Sequence, residues 1–163
     1  MISEMSALKR VIRLLAASGR TLSVAESCTG GALAKALTDP AGSSSYFLGG
    51  VTAYSNTMKT SFLGVNPATI ARFGAVSEET CREMCLGIRD RAGSSDAVSV
   101  TGIAGPSGGT PEKPVGTVYA GFCVGDEVTI RKYRFNGNRA AVRRKTVSSV
   151  LMDLAELLGQ EEG

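Results

Sequence analysis

The amino-acid sequence predicts a three-layer α/β/α fold around a mixed, mostly parallel sheet with one antiparallel strand. Three observations lead there. Strand-like and helix-like segments alternate through most of the 163 residues. Two strand-like runs end in glycine-rich turns, and the first of these turns opens directly into a run of helix formers. Two later strand-like runs are separated by only three residues, a hairpin spacing that makes the sheet mixed. A hydrophobic fraction of 43 % against 20 % charged residues fits one compact globular domain over 1–163 and not a disordered chain.

Met5, Leu8, Ile12 and Leu15 recur at helical spacing between Ser3, a good N-cap, and Gly19, a natural stop, which predicts a helix over 4–18. Thr21–Ala25 reads as a strand, Ser27-Cys28-Thr29-Gly30-Gly31 as the turn after it, and Ala32–Leu37 as the next helix. Tyr46–Tyr54 is a second strand, interrupted by Gly49-Gly50, the mark of a bulge or of close backbone approach. A short helical segment carrying Lys59 follows. Ser77 caps a further helix, with Glu78 and Glu79 in its first turn and an apolar face of Cys81, Met84, Cys85 and Ile88. Ala97–Val100 is a buried-type strand that ends at Thr101-Gly102 and leads into a loop rich in Gly and Pro. Val115–Val124 and Val128–Phe135 pair as a hairpin around 125–127. Asn138 caps the last helix, striped by Val147, Val150, Leu151, Leu154 and Leu158, and Gly159–Gly163 is expected to be a frayed tail.

Composition narrows the chemistry. Histidine is absent, which removes the commonest general base near neutral pH and the commonest metal ligand, and with them any Ser-His-Asp triad. The four cysteines, Cys28, Cys81, Cys85 and Cys123, contain no CxxC pair and read as reduced thiols, so neither a metal site nor a cofactor is expected. The N-terminus has no basic and apolar leader, and no stretch approaches eighteen apolar residues, so a soluble, cytoplasmic chain without a membrane partner is expected. Net charge is only +3, yet seven of the fifteen residues from Arg131 to Lys145 are Lys or Arg. That cluster suits an anionic ligand or a solvated face. Its aromatic residues are too few, and no recognised motif accompanies it, to support a nucleic-acid partner.

Ligands of open α/β sheets bind at the carboxyl ends of the strands, which directs attention to the turns at 26–31 and 101–114. In the first, Gly30 and Gly31 leave main-chain N–H groups open near a helix start, where an oxyanion would be stabilised, and Ser27 stands just before them. Ser27 is either a nucleophile or a simple helix cap. Ser6-x-x-Lys9 matches a known Ser/Lys spacing but sits on an amphipathic helix, and is read as chance. Lys59 is a surface lysine or, in a chain without histidine, the base for Ser27, since a buried lysine loses affinity for its proton. The 101–110 loop is either a substrate cradle or an idle surface loop. Arg139 and Arg143, one helical turn apart, make a fork suited to phosphate or a pair of solvated side chains.

Taken together, Ala25-Glu26-Ser27-Cys28-Thr29-Gly30-Gly31, Gly50-Val51-Thr52-Ala53-Tyr54-Ser55-Asn56 with Lys59, and Gly74-Ala75-Val76-Ser77 form a pattern. Thr101-Gly102-Ile103-Ala104-Gly105-Pro106, Lys113–Val118, and Phe135–Arg139 with Arg143 extend it. Over about 10–155 the chain resembles the CinA C-terminal domain family, whose characterised members are nicotinamide-mononucleotide deamidases. The resemblance implies hydrolysis of the carboxamide of nicotinamide mononucleotide to nicotinic acid mononucleotide and ammonia, in pyridine nucleotide recycling. It implies Ser27 as nucleophile, Lys59 as base and Tyr54 as the group that orients the lysine or relays a proton. Thr29, Gly30 and Gly31 would supply oxyanion donors, Thr101, Gly102 and Gly105 would line the nucleotide pocket, and Arg139 and Arg143 would meet the phosphate. The implied partner is a small-molecule nucleotide; whether the chain also assembles with copies of itself is open. A non-catalytic nucleotide-binding or regulatory domain is the alternative. Family members often carry an N-terminal domain, which is not expected in this chain.

Overall fold

A computed structural model describes residues 3–161. Five strands, β1 (Leu22–Glu26), β2 (Phe47–Thr52), β3 (Asp96–Gly102), β4 (Thr117–Val124) and β5 (Glu127–Arg134), form one sheet in the order β2-β1-β3-β4-β5. β1 pairs in parallel with both β2 and β3, whereas β4 pairs antiparallel with β3 and with β5. Four strands therefore share one direction and β4 alone opposes them, as the hairpin spacing requires.

Six α-helices cover the two faces. α1 (Glu4–Ser18), α2 (Ala32–Thr38) and α6 (Arg139–Gln160) pack on the face that presents Leu22, Val24, Val98, Val100, Ala120 and Phe122. α3 (Asn56–Leu63), α4 (Pro67–Phe73) and α5 (Glu78–Ala92) cover the other, where Ala25, Ala97 and Cys123 meet Leu63, Met84, Cys85 and Ile88. Alternation along each strand divides its side chains between two apolar layers. Burying both layers is the main stabilising term, at roughly 25 cal/mol per Å² of apolar surface.

Local signals explain the boundaries. Ser3 caps α1 through Ser6 N–H, and Gly19 ends it in the left-handed region, φ +64°. Leu22 pairs with Phe47 but Ser23 pairs with Gly49, so Leu48 is the extra residue of a bulge. At Gly50 a Cβ would lie 2.9 Å from the Val24 carbonyl oxygen, so the glycine permits the close strand approach its sequence suggested. Cys81 and Cys85 are fully buried core thiols.

Element boundaries shift by one or two residues from the sequence reading in several places, and one helix is added to it. β4 begins at Thr117, not Val115, because Thr117 N–H closes a turn onto Pro114. β5 begins at Glu127, which pairs with Val124 and leaves Gly125-Asp126 as a two-residue turn. Gly159 and Gln160 belong to α6 and are not a frayed tail; the last two residues of that expected tail lie outside the described residues. α4, which has no fully buried residue, carries no periodic signal, although Asn66 caps it and Pro67 opens it. Among the described residues no helix is long and apolar enough to cross a membrane.

Candidate active site

The carboxyl ends of β1, β2 and β3 lie side by side and carry the polar residues singled out above. Ser27 follows β1 directly; its N–H donates to the Val100 carbonyl at 2.9 Å, extending the ladder by one residue. On the other flank Ala53 N–H donates to the Glu26 carbonyl at 2.9 Å. The main chain on both sides of the serine is thus pinned before the turn begins. Gly30 at φ +61° and Gly31 at φ +96° are consecutive left-handed residues, which only glycine adopts without strain, and they swing the chain into α2.

Ser27 does not cap α2. Gly31 occupies the N-cap position and offers no side chain, and the helix is capped instead by the buried Glu26, whose carboxylate oxygens accept Leu33 N–H at 2.8 Å and Ala34 N–H at 3.0 Å. That leaves the Ser27 hydroxyl for Lys59, whose Nζ lies 3.0 Å from Ser27 Oγ. Lys59 sits in the first turn of α3, which Ser55 caps through Met58 N–H, and its stem runs inward until only 1 % of the residue is exposed. Its Nζ also donates to the carbonyls of Ala53 at 3.0 Å and Tyr54 at 3.2 Å. Burial lowers the lysine pKa, because the charged form loses its hydration, and no carboxylate stands beside it to restore it.

Two N–H groups fixed on two carbonyls leave one sp³ position on a neutral amine, directed at Ser27. In the neutral state the lone pair accepts the serine proton; in the charged state the third N–H donates to the same oxygen.

A cleft of about 260 Å³ opens above this pair, lined by Ser27, Lys59, Tyr54, Thr101, Gly102, Gly105 and Arg139, with Asn56, Val76 and Ile103 among the others. No Asp or Glu lines it, and its basic side chains are Lys59 and Arg139. The 101–114 loop is tied down along its length: Thr101 Oγ1 donates to the Ala75 carbonyl, Arg139 Nη1 to the Gly105 carbonyl, and Lys113 Nζ to the Phe73 carbonyl. A Cβ on Gly105 would lie 2.5 Å from Val115 Cγ1, which closes that position to larger residues. Among the described residues no group of three or more His, Cys, Asp or Glu side chains is placed to hold a metal ion.

The other sequence candidates separate. Tyr54 touches Lys59 through its main-chain carbonyl, while its hydroxyl, on a ring 56 % exposed, accepts from Arg139 Nη2 at 2.7 Å. Arg139 and Arg143 are not brought together: Arg139 faces the cleft, but Arg143 Nη2 donates to the Thr29 carbonyl at 3.0 Å and lies outside the cleft lining. Thr29, Gly30 and Gly31 also lie behind the lining, and Gly30 N–H is committed to the Ser27 carbonyl at 3.0 Å. Residues that the motifs give no separate role are Glu26, Asn56 and Ser107; of these only Glu26 has a signal in the sequence, an acidic residue at the end of the strand that leads into a helix.

Fold and site together define a three-layer α/β/α protein with a buried Ser–Lys pair at its strand ends. The chain belongs to the CinA C-terminal domain family, whose model matches residues 4–158. It is 49 % identical over 141 residues to a putative competence-damage inducible protein of Thermoanaerobacter sp. (strain X514), covering 86 % of this chain and 34 % of that one. It is 54 % identical over 127 residues to a CinA-like protein of Trichormus variabilis, covering 77 % of this chain and 30 % of that one. The chain thus spans about a third of the length of these curated relatives. The crystal structure of competence/damage inducible protein CihA from Agrobacterium tumefaciens superposes with a TM-score of 0.91 at 40 % identity, over 94 % of each chain. A CinA superfamily protein from Enterobacter cloacae gives 0.93 at 35 % identity, over 97 % of this chain and 94 % of that one.

Proposed function

We propose that this domain is a serine amidohydrolase that cleaves the carboxamide of nicotinamide mononucleotide, with Ser27 as nucleophile and Lys59 as its only proton carrier. The observation that carries the reading is the buried Lys59 Nζ, held by two carbonyls and 3.0 Å from Ser27 Oγ, in a chain with no histidine.

Neutral Lys59 takes the hydroxyl proton as Ser27 Oγ attacks the carboxamide carbon. The tetrahedral oxyanion needs N–H donors; that of Cys28, which lines the cleft beside Ser27, donates to no described protein group, whereas that of Gly30 is taken. Collapse breaks the C–N bond, and the Lys59 ammonium returns its proton to the departing nitrogen as ammonia. Water, deprotonated by the again neutral Lys59, then attacks the ester on Ser27; as the acyl C–O bond breaks, Lys59 returns that proton to Ser27 Oγ and nicotinic acid mononucleotide is released. Arg139, at the cleft mouth, is the group for the 5′-phosphate, and the absence of a lining carboxylate favours an anionic ligand. The reaction belongs to pyridine nucleotide recycling.

The test is ammonia release from nicotinamide mononucleotide by the purified chain and by folded Ser27→Ala. The proposal requires turnover by the first and almost none by the second. Binding without ammonia from the unaltered chain would make this a nucleotide-binding or regulatory domain.

A further inference from the structure

Arg143 lies on the far side of the nucleophile turn from the cleft, and its contacts are those of a brace. Its Nη2 donates to the Thr29 carbonyl at 3.0 Å. That carbonyl belongs to the same planar peptide unit as Gly30 N–H, which donates to the Ser27 carbonyl at 3.0 Å. One rigid plane is therefore held at its oxygen end by Arg143 together with Ala32 N–H, which donates to the same carbonyl at 3.1 Å, and at its nitrogen end by the nucleophile's own residue. Fit is close: a Cβ on Gly30 would lie 3.1 Å from Arg143 Nη2, so the glycine makes room for the guanidinium as well as for the backbone. Arg143 Nε and Thr29 Oγ1 are buried and bond to no other described group, so the guanidinium holds the turn through this single contact. Glu26, bound to Leu33 and Ala34 N–H, fixes the helix end of the same turn.

We infer that Arg143 is a positioning residue for the catalytic turn, not a phosphate ligand: by clamping the Thr29–Gly30 peptide it sets the Ser27 hydroxyl against Lys59 and holds the N–H group of Cys28, which lines the cleft, in place for the oxyanion. The inference rests on the Ser27–Lys59 reading. Nothing in it requires Arg143 to touch the substrate, so its removal acts on the chemical step and leaves binding alone. A displacement of about 1 Å at a reacting group costs on the order of a hundredfold in rate.

The experiment compares the unaltered chain with Arg143→Ala and Arg143→Lys in three measurements. The first two are kcat and KM for nicotinamide mononucleotide and for nicotinamide riboside, and the third is the rate at which a fluorophosphonate labels Ser27. Circular dichroism establishes that each variant is folded. Arg143→Ala is expected to lower kcat for both substrates by the same factor, on the order of a hundredfold, with KM within about threefold and Ser27 labelling slowed in parallel. Arg143→Lys, which can still donate to the Thr29 carbonyl, recovers part of both rates and serves as the folded variant if Arg143→Ala does not fold. A selective rise in KM for the mononucleotide would place Arg143 on the phosphate and overturn the inference. Unchanged kcat and labelling in Arg143→Ala, or Arg143→Lys no better than a folded Arg143→Ala, would overturn it too. If the unaltered chain labels at Ser27 but releases no ammonia, the substrate is wrong and the labelling rates still decide the role of Arg143. Absence of labelling in the unaltered chain would remove the nucleophile, and this inference with it.

Discussion

Replacing Glu26 by Gln tests how the fold holds the site. The buried Glu26 side chain gives one oxygen to Leu33 N–H and the other to Ala34 N–H, at 2.8 and 3.0 Å, and α2 has no other side-chain cap. Glutamine keeps one oxygen and turns an NH2 group toward the second N–H, so one charge-assisted bond is lost and two donors face each other in the interior. A lost charged bond with a buried donor left unmet costs roughly 2–4 kcal/mol, which for a chain of this size lowers Tm by roughly 5–15 °C. Thermal unfolding followed by circular dichroism, with urea titration for the free energy, measures it. The turnover number should fall as well, because Glu26 and Ser27 are adjacent and share one turn. A Tm within about 1 °C of the unaltered chain would refute the reasoning, since it would mean that α2 needs no cap from the strand.

Three further outcomes follow from the site. Because burial lowers the Lys59 pKa and only the neutral amine accepts a proton, activity should rise with pH through an apparent pKa below lysine's ordinary 10.5; Lys59→Arg, which does not deprotonate, should be inactive, and turnover by it would mean that charge alone suffices. The same shift makes the unfolded chain bind more protons than the folded one between the lowered value and 10.5. Stability of the unaltered chain relative to Lys59→Met should therefore rise with pH through that window, and a difference independent of pH in urea titrations would contradict it. Arg139→Ala should reduce kcat/KM for nicotinamide mononucleotide about ten- to a hundredfold more than for the riboside, which has no phosphate; equal losses would make Arg139 only a strut between Tyr54 and Gly105.

The sequence makes the helices with caps and apolar stripes legible to within a residue or two, as Ser3 and Gly19 around α1 and Ser77 ahead of α5 illustrate. α4 escapes because a short surface helix has no periodic pattern to show. In the site, residue types were readable but contacts were not. Ser27 and Lys59 are 32 positions apart, and only the parallel pairing of β1 with β2 brings their turns together. The sequence leaves serine open as the cap of α2, because a carboxylate reaching back from the end of a strand has no fixed spacing that would exclude it. Helical spacing put Arg139 and Arg143 on one face, yet long side chains from neighbouring turns found different partners, one at the cleft mouth and one behind the nucleophile. The resemblance implies that Tyr54 orients the lysine or relays a proton, and its contact with Lys59 is made by its main-chain carbonyl, which any residue there would supply.

The central claim is that Ser27 attacks the carboxamide. Mixing the chain with nicotinamide mononucleotide, quenching in acid within a turnover and mapping the peptides by mass spectrometry tests it directly. The account predicts one nicotinic acid mononucleotide acyl group, as an ester, on the peptide that holds Ser27, formed with a burst of ammonia and absent from Ser27→Ala. Ammonia release at an undiminished rate by folded Ser27→Ala, or an acyl group found on Cys28 or Lys59 instead, would contradict it.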